Sequence, residues 1–318
     1  MQLQTAVDDF VVALKADGLK RKTVQWYTWS LGTFISAHSD TALDDFTTKV
    51  LRQYIADLRD RKWQWNGSQH IRQDLPLSDD TINAHIRVLH RFWAWCSTEY
   101  KMPNPMAAIR YPRKPEAKPK AIPLDDVRTL FAATERSRAA ARDRAILAFL
   151  LDTGCRAAGL VGLKPEDLNV EQRKAVVTEK GSKTRSVYFT QVTGDLLAIW
   201  IGEREESAPH LFYNLDTLEP LTVYGLRHML KRLAKRAGVT GRVNPHSFRH
   251  SFAREYLRAG GDLSTLSRLM GHRDVSTTVQ HYAIFDQDEV REAHEKYSPA
   301  RLLGEEKKSA PPSEDEAL

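Results

Sequence analysis

Cysteine is scarce in this chain: two in 318 residues, Cys96 and Cys155, far apart and without metal-ligand spacing. That argues against a disulfide framework and a cysteine-held metal site, and both are expected as reduced core thiols. No apolar run approaches the ~20 residues that cross a bilayer, so no membrane partner is expected. The first residues, MQLQTAVDDF, lack the basic start and apolar stretch of a secretory signal. These absences together point to a cytoplasmic protein. No internal repeat is visible.

What is present is ordinary in amount and uneven in placement. The chain is 42% hydrophobic and 28% charged, a soluble globular composition, and its length suggests two domains. The net charge is +6. The last stretch, GEEKKSAPPSEDEAL, is acidic overall, so the body is more basic than the total. A basic body suggests a polyanion as partner.

Apolar residues recur at helical spacing through the first hundred residues. The pattern predicts helices over 5–17 (Val7, Phe10, Val11, Leu14), from a Thr23 cap through Ile35, over 48–61 (Leu51, Tyr54, Ile55, Leu58), and after Ser78 (Ile82, Ile86, Leu89, Trp93, Cys96). Residues 62–78 read as a polar loop. The stretch RYPRKPEAKPKAIP carries four prolines, and five of its six ionic side chains are basic. It is expected to be a basic linker that straps a phosphate backbone.

Beyond it, helices are predicted at 124–134, 139–152 (stopped by Gly154), 192–203, 222–237, 246–259 and 262–270. KAVVT and RSVYF read as a hairpin turning through EKGSKT. The expected boundaries are a helical domain over 1–110, a basic proline-rich linker over 111–121, a mixed domain over 122–300, and an acidic, disordered tail over 301–318. The fold class expected is mostly α with a small β-sheet. Trp26, Trp29, Trp93 and Trp95 are expected to pack rather than to stack on bases.

The stretch MGHRDVSTTVQHY closes on a lone tyrosine. A phenol with a pKa near 10 is a poor nucleophile at neutral pH. It becomes useful against a phosphodiester whose non-bridging oxygens are neutralised by cations, with an acid to protonate the leaving oxygen. The chain offers such groups: Arg156 after a helix end and a glycine turn, Lys180 in the hairpin turn, His246 and Arg249 three apart at a helix start, His272, and Tyr282.

With PHSFRHSFA and MGHRDVSTT in this order after Arg156 and Lys180, the chain resembles the tyrosine recombinases, or phage integrase family, from about residue 5 to 300. The resemblance implies an N-terminal four-helix core-binding (SAM-like) domain and an α/β catalytic domain, closing as a C-shaped clamp on double-stranded DNA. It implies that Arg156 and Arg249 clamp the scissile phosphate and that Lys180 is the general acid for the 5′ oxygen. His246 would serve as acid/base or hydrogen-bond partner, and His272 would donate to a non-bridging oxygen. Tyr282 would attack, giving a 3′-phosphotyrosyl link that a second 5′-hydroxyl resolves. No cofactor and no metal are implied. A homo-tetramer on two DNA sites is implied, with 286–303 as a segment exchanged between neighbours. The short lead before the first helix suits a simple recombinase of Xer, plasmid, transposon or compact integrase type.

Two departures from the family's pattern stand out. Gly159 occupies a place that usually holds an acidic residue, with Glu166 or Asp167 as possible substitutes. Ten residues rather than nine separate His272 from the tyrosine, so strict counting lands on His281; chemistry favours Tyr282, with Tyr297 a distant second. His250 and His281 are expected to be structural. Further DNA contacts are expected from Lys20, Arg21 and Lys22 at a helix entrance, from Arg87 and Arg91 on one helix face, and from Lys183 and Arg185. A catalytically impaired DNA-binding protein on the same fold, a type IB-like topoisomerase and a basic helical scaffold are the rival readings.

Overall fold

A computed structural model describes residues 1–38, 41–60, 63–65, 70–72, 77–112, 121–179, 183–272, 274–282, 291, 294–296, 298 and 300; residues 63–65, 70–72, 277 and 280–282 are described by backbone alone. The chain divides into two compact units, Met1–Ala117 and Lys118–Leu318.

In the first unit, α1 (Leu3–Ala16) buries Leu3, Ala6, Val7, Phe10 and Leu14, a three-and-four spacing that makes one apolar stripe. Helix α2 (Arg21–Ser36) buries Val24, Tyr27, Leu31 and Phe34. Helix α3 (Thr48–Asp60) buries Leu51, Tyr54 and Leu58. Helix α4 (Asp79–Glu99) starts where the Ser78 hydroxyl accepts from the Thr81 N–H, and it buries Ile82, Ile86, Leu89, Trp93 and Cys96. Phe10 meets Tyr27 and Phe92 edge-on at the centre of this core. Trp93 is fully buried, whereas Trp26 is exposed.

Two expectations are corrected here. Helix α2 begins at Arg21, not at a Thr23 cap: Lys20 is extended, and its carbonyl accepts from the Thr23 N–H at 2.7 Å. Within the expected loop, β1 (Trp63–Trp65) and β2 (His70–Arg72) pair antiparallel, Gln64 facing Ile71.

The second unit is built on α6 (Ala140–Thr153), which buries Ala145 through Leu150 without a break and so lies inside the core. Around it stand α5 (Leu124–Thr134), α8 (Gln191–Glu203), α9 (Val223–Ala237) and α10 (Pro245–Arg258). A short α7 (Ala157–Val161) follows α6. Strands β3 (Leu168–Asn169), β4 (Lys174–Glu179) and β5 (Lys183–Tyr188) form an antiparallel sheet in the order β3-β4-β5. Helix α11 (Leu263–Met270) ends at Gly271, and α12 (Val275–Tyr282) packs on α10 and α11. Among the described residues the fold is thus mostly helical, with a small three-stranded sheet in this unit beside the two-stranded β1-β2 ribbon of the first, in line with the expected mostly α class with a small β-sheet.

Both cysteines are buried and free. Burial pushes the Cys96 thiol up to about 12 and the Cys155 thiol up to about 11. Among the described residues, no helix is long and apolar enough to cross a membrane. The linker residues 113–120, the tail from 301 and most of the 286–303 segment lie outside the described residues.

Candidate active site

The site is assembled at the ends of α6, α10 and α11 and along β4 and β5. Helix α6 stops at Gly154, whose φ of 56° is left-handed and whose N–H closes on the Leu150 carbonyl. Two residues later Arg156 sits extended as the N-cap of α7. The Gly154 carbonyl accepts from Arg249 Nη1 at 2.7 Å, so α10 holds the turn that presents Arg156.

Helix α10 starts at Asn244, whose side chain accepts from the N–H groups of His246 and Ser247, with Pro245 in the first turn. His246 is exposed there, its ring edge-on to His250 at 4.3 Å. Arg249, one turn on, is only 3% exposed. Its Nη2 donates to the Met270 carbonyl at 2.6 Å and lies 2.9 Å from His272 Nε2.

Gly271 (φ 64°) turns the chain out of α11 and delivers His272. Arg249 can only donate, so His272 Nε2 accepts and the ring proton sits on Nδ1. Nδ1 then donates to Thr278 Oγ1, 2.8 Å away on α12 and fully buried. The ring is thereby fixed in position and tautomer by a partner on each nitrogen.

On the sheet, alternation turns Ala175, Val177 and Glu179 inward. Glu179 is 8% exposed and is satisfied by three donors: the Arg156 N–H at 3.2 Å, Arg156 Nη1, and Arg185 Nη2 at 3.1 Å. Burial alone would raise its pKa, but the Arg185 and Arg156 guanidinium groups outweigh it and hold the carboxyl below its ordinary range.

Arg185 also donates to the Leu269 carbonyl at 2.6 Å, and its side chain lies across Gly271, where an added Cβ would come within 2.8 Å. The links form a closed circuit from Arg156 through Glu179, Arg185, the end of α11, Arg249 and Gly154 back to Arg156.

Arg156, Arg249 and His272 are therefore brought together, with Tyr282 placed by its backbone as the last residue of α12. Lys180 and Tyr297 lie outside the described residues, and His281 is described by backbone alone. Arg185, expected at a DNA phosphate, is committed inward instead, its side chain 16% exposed. Its cross-strand partner is Val177, and paired residues share a face, so the register turns it toward Glu179.

Lys183 is exposed, as are Lys20, Arg21, Lys22, Arg87 and Arg91; Arg91 lies over the Tyr27 ring at 5.3 Å. Glu166 and Asp167, the suggested substitutes at Gly159, engage Lys164. The residues missed by sequence reasoning are Glu179 and Thr278. Among the described residues, no group of His, Cys, Asp and Glu is placed to hold a metal.

Residues 120–289 match the phage integrase family. Tyrosine recombinase XerD of Listeria innocua serovar 6a is 28% identical over 304 residues, covering 92% of this chain and 98% of that protein. Tyrosine recombinase XerA of Pyrococcus furiosus is 28% identical over 297 residues, covering 91% and 93%. Among solved structures, the Tn1549 transposon integrase in complex with a circular intermediate DNA shares the fold at a TM-score of 0.72 and 17% identity, covering 93% of this chain and 99% of that one.

Proposed function

The chain belongs to the phage integrase family and is a tyrosine-type site-specific DNA recombinase; from that premise we propose that Tyr282 is its nucleophile and that Arg156, Lys180, His246, Arg249 and His272 serve it. The phenol oxygen of Tyr282 bonds to phosphorus while the bond from phosphorus to the 5′ oxygen breaks. Lys180 gives that oxygen its proton, and His246, exposed at the first turn of α10, takes the phenol proton or passes it on. Arg156 and Arg249 neutralise the non-bridging oxygens as charge builds on them. His272, with Nε2 accepting from Arg249 and its one ring proton given to Thr278, orients the Arg249 guanidinium in place of the donation to a non-bridging oxygen that the resemblance implied. A 5′-hydroxyl from a second strand reverses the step, so the bond energy is kept in the 3′-phosphotyrosyl link.

The observation that carries this reading is the Arg249 guanidinium, which joins His272 directly and the Arg156 turn through the Gly154 carbonyl. Two arginines and a histidine that are far apart in sequence share one small network centred on the buried Arg249. The supported partner is double-stranded DNA, contacted also through Lys20, Arg21, Lys22, Arg87, Arg91 and Lys183. The proposed assembly is a homo-tetramer on two sites, in the cytoplasm.

The test has two stages. DNA joined covalently to the protein in its own cells is recovered and sequenced. A nicked duplex bearing the recovered site is then given to purified protein. Wild type should trap a covalent complex and Tyr282→Phe none; equal trapping by both would remove Tyr282 from its role. Relaxation of plasmid lacking the site would point to a topoisomerase.

A further inference from the structure

We propose that Glu179 is the positioning residue that aims Arg156 at the phosphate, and that it can do so because residue 159 is glycine. The inference rests on the reading of Arg156 as a phosphate ligand. It starts from the geometry of a helix start. Arg156 is the N-cap of α7, so its N–H lies among the groups that the helix leaves unpaired. A carboxylate three residues on, at the third helical position, commonly reaches back to that N–H. Here the third position is Gly159, which has no side chain to offer.

Glu179 supplies the missing carboxylate from the neighbouring strand. One of its oxygens takes the Arg156 N–H at 3.2 Å and the other takes Arg156 Nη1. Backbone and side chain of the arginine are therefore fixed by one group. The Arg156 side chain remains 40% exposed, so part of it is held inside and part is presented outward.

Position 159 and Glu179 compete for one space. A Cβ built on Gly159 would lie 3.2 Å from Val177 Cβ and 3.6 Å from Glu179 Cγ. The tighter contact is with Val177, and the Glu179 stem already stands at van der Waals distance, so a carboxylate at 159 would have to share this space with a second carboxylate. An acid at 159 and an acid at 179 thus disfavour one another by crowding and by like charge. This chain has taken the second, and Arg185 on β5 completes the pairing from the far side at 3.1 Å.

The prediction is a reciprocal rescue, read on the full chain with the nicked duplex described above. Trapping rate, duplex affinity and thermal melting are measured together. Glu179→Gln should lower the trapping rate on the order of 10- to 100-fold, because a shifted arginine no longer meets the phosphate. Duplex affinity should change little. Gly159→Glu should be at least as impaired. The double variant, Gly159→Glu with Glu179→Gly, should return to within about threefold of wild type, a coupling that independent sites do not show.

The inference is overturned if Glu179→Gln traps DNA as wild type does. It is equally overturned if the double variant, folded by its melting curve, is no better than the single variants. A fall in melting temperature and affinity together with trapping, without rescue, would make Glu179 a fold residue only. Should wild type itself trap no DNA, the reading of Tyr282 fails first and this inference falls with it.

Discussion

Arg249 Nη1 donates to the backbone carbonyl of Gly154 at 2.7 Å, so a buried arginine of α10 sets the height of the turn that carries Arg156. Gly154 has little freedom to change. Its φ is 56°, and a Cβ would stand 2.6 Å from Phe252 Cδ1 and 3.2 Å from Met270 Sδ. An L-residue in that conformation costs about 1–2 kcal/mol in the backbone alone. Gly154→Ala should lower the melting temperature by roughly 3–8 °C. It should lower trapping more than that loss of folded protein explains, since the carbonyl that Arg249 grips must move. A variant with wild-type trapping would show that the grip does not matter.

Thr278 is the second partner of His272, and its hydroxyl accepts from Nδ1 at 2.8 Å. Thr278→Val keeps the shape and removes the acceptor. A buried donor left unpaired costs about 1–3 kcal/mol, and here the ring loses what fixes its tautomer. Trapping should fall about tenfold, with duplex affinity nearly unchanged, and Thr278→Ser should restore most of it. Equal rates for the valine and serine variants would take Thr278 out of the site.

The residues proposed for the site stand out in the sequence because each sits in a short motif whose order survives in one dimension: Arg156 after a helix stop, His246 and Arg249 at a helix start, His272 after a glycine. Their supporting residues do not. Glu179 closes a run, Ala175-Val176-Val177-Thr178-Glu179, in which alternation turns it inward, yet its value depends on Gly159, twenty residues earlier. Arg185 reads as one more cation of a basic hairpin; only the pairing with Val177 shows which way it faces. Helix α12 was not predicted because Val275, Thr277, Thr278 and Val279 are β-branched and poor helix formers, and packing on α10 and α11 overrides that preference. The β1-β2 ribbon carries a turn signal in its sequence, the Asn66-Gly67 pair between two runs containing Trp63, Trp65 and Ile71.

Acid should reveal Glu179 by a simple sign. Its carboxyl is held below the ordinary range, against the effect of burial, by Arg185 and Arg156. A group whose folded pKa is depressed adds stability that is complete above the unfolded value, ~4.3, and is lost as pH falls through the folded value. Glu179→Gln should therefore be less stable than wild type near neutrality, by about 3–5 kcal/mol if the whole buried pairing is lost. The gap should narrow once the pH drops below ~4.3, as the wild-type carboxyl takes up its proton. Denaturant unfolding of both proteins across that range reads the difference directly. A gap that stays constant with pH would mean that the charge of Glu179 contributes nothing.

Salt dependence separates cations that meet DNA from cations that hold the site together. Each phosphate neutralised by a lysine or arginine releases counterions, and the slope of log affinity against log salt changes by about 0.9 per contact. Lys183 is exposed at the start of β5, and Lys20 and Lys22 are exposed at the start of α2. Replacing any one of them with glutamine should weaken duplex binding and make the slope shallower by about one contact. Arg185 lies on the same strand as Lys183, but its guanidinium is spent on Glu179 and the Leu269 carbonyl. Arg185→Met should leave the salt slope unchanged while lowering melting temperature and trapping, because Glu179 would then face Arg156 without its second cation. If Arg185→Met shifts the slope as Lys183→Gln does, the arginine reaches phosphate after all, and its inward pairing with Glu179 breaks when DNA binds.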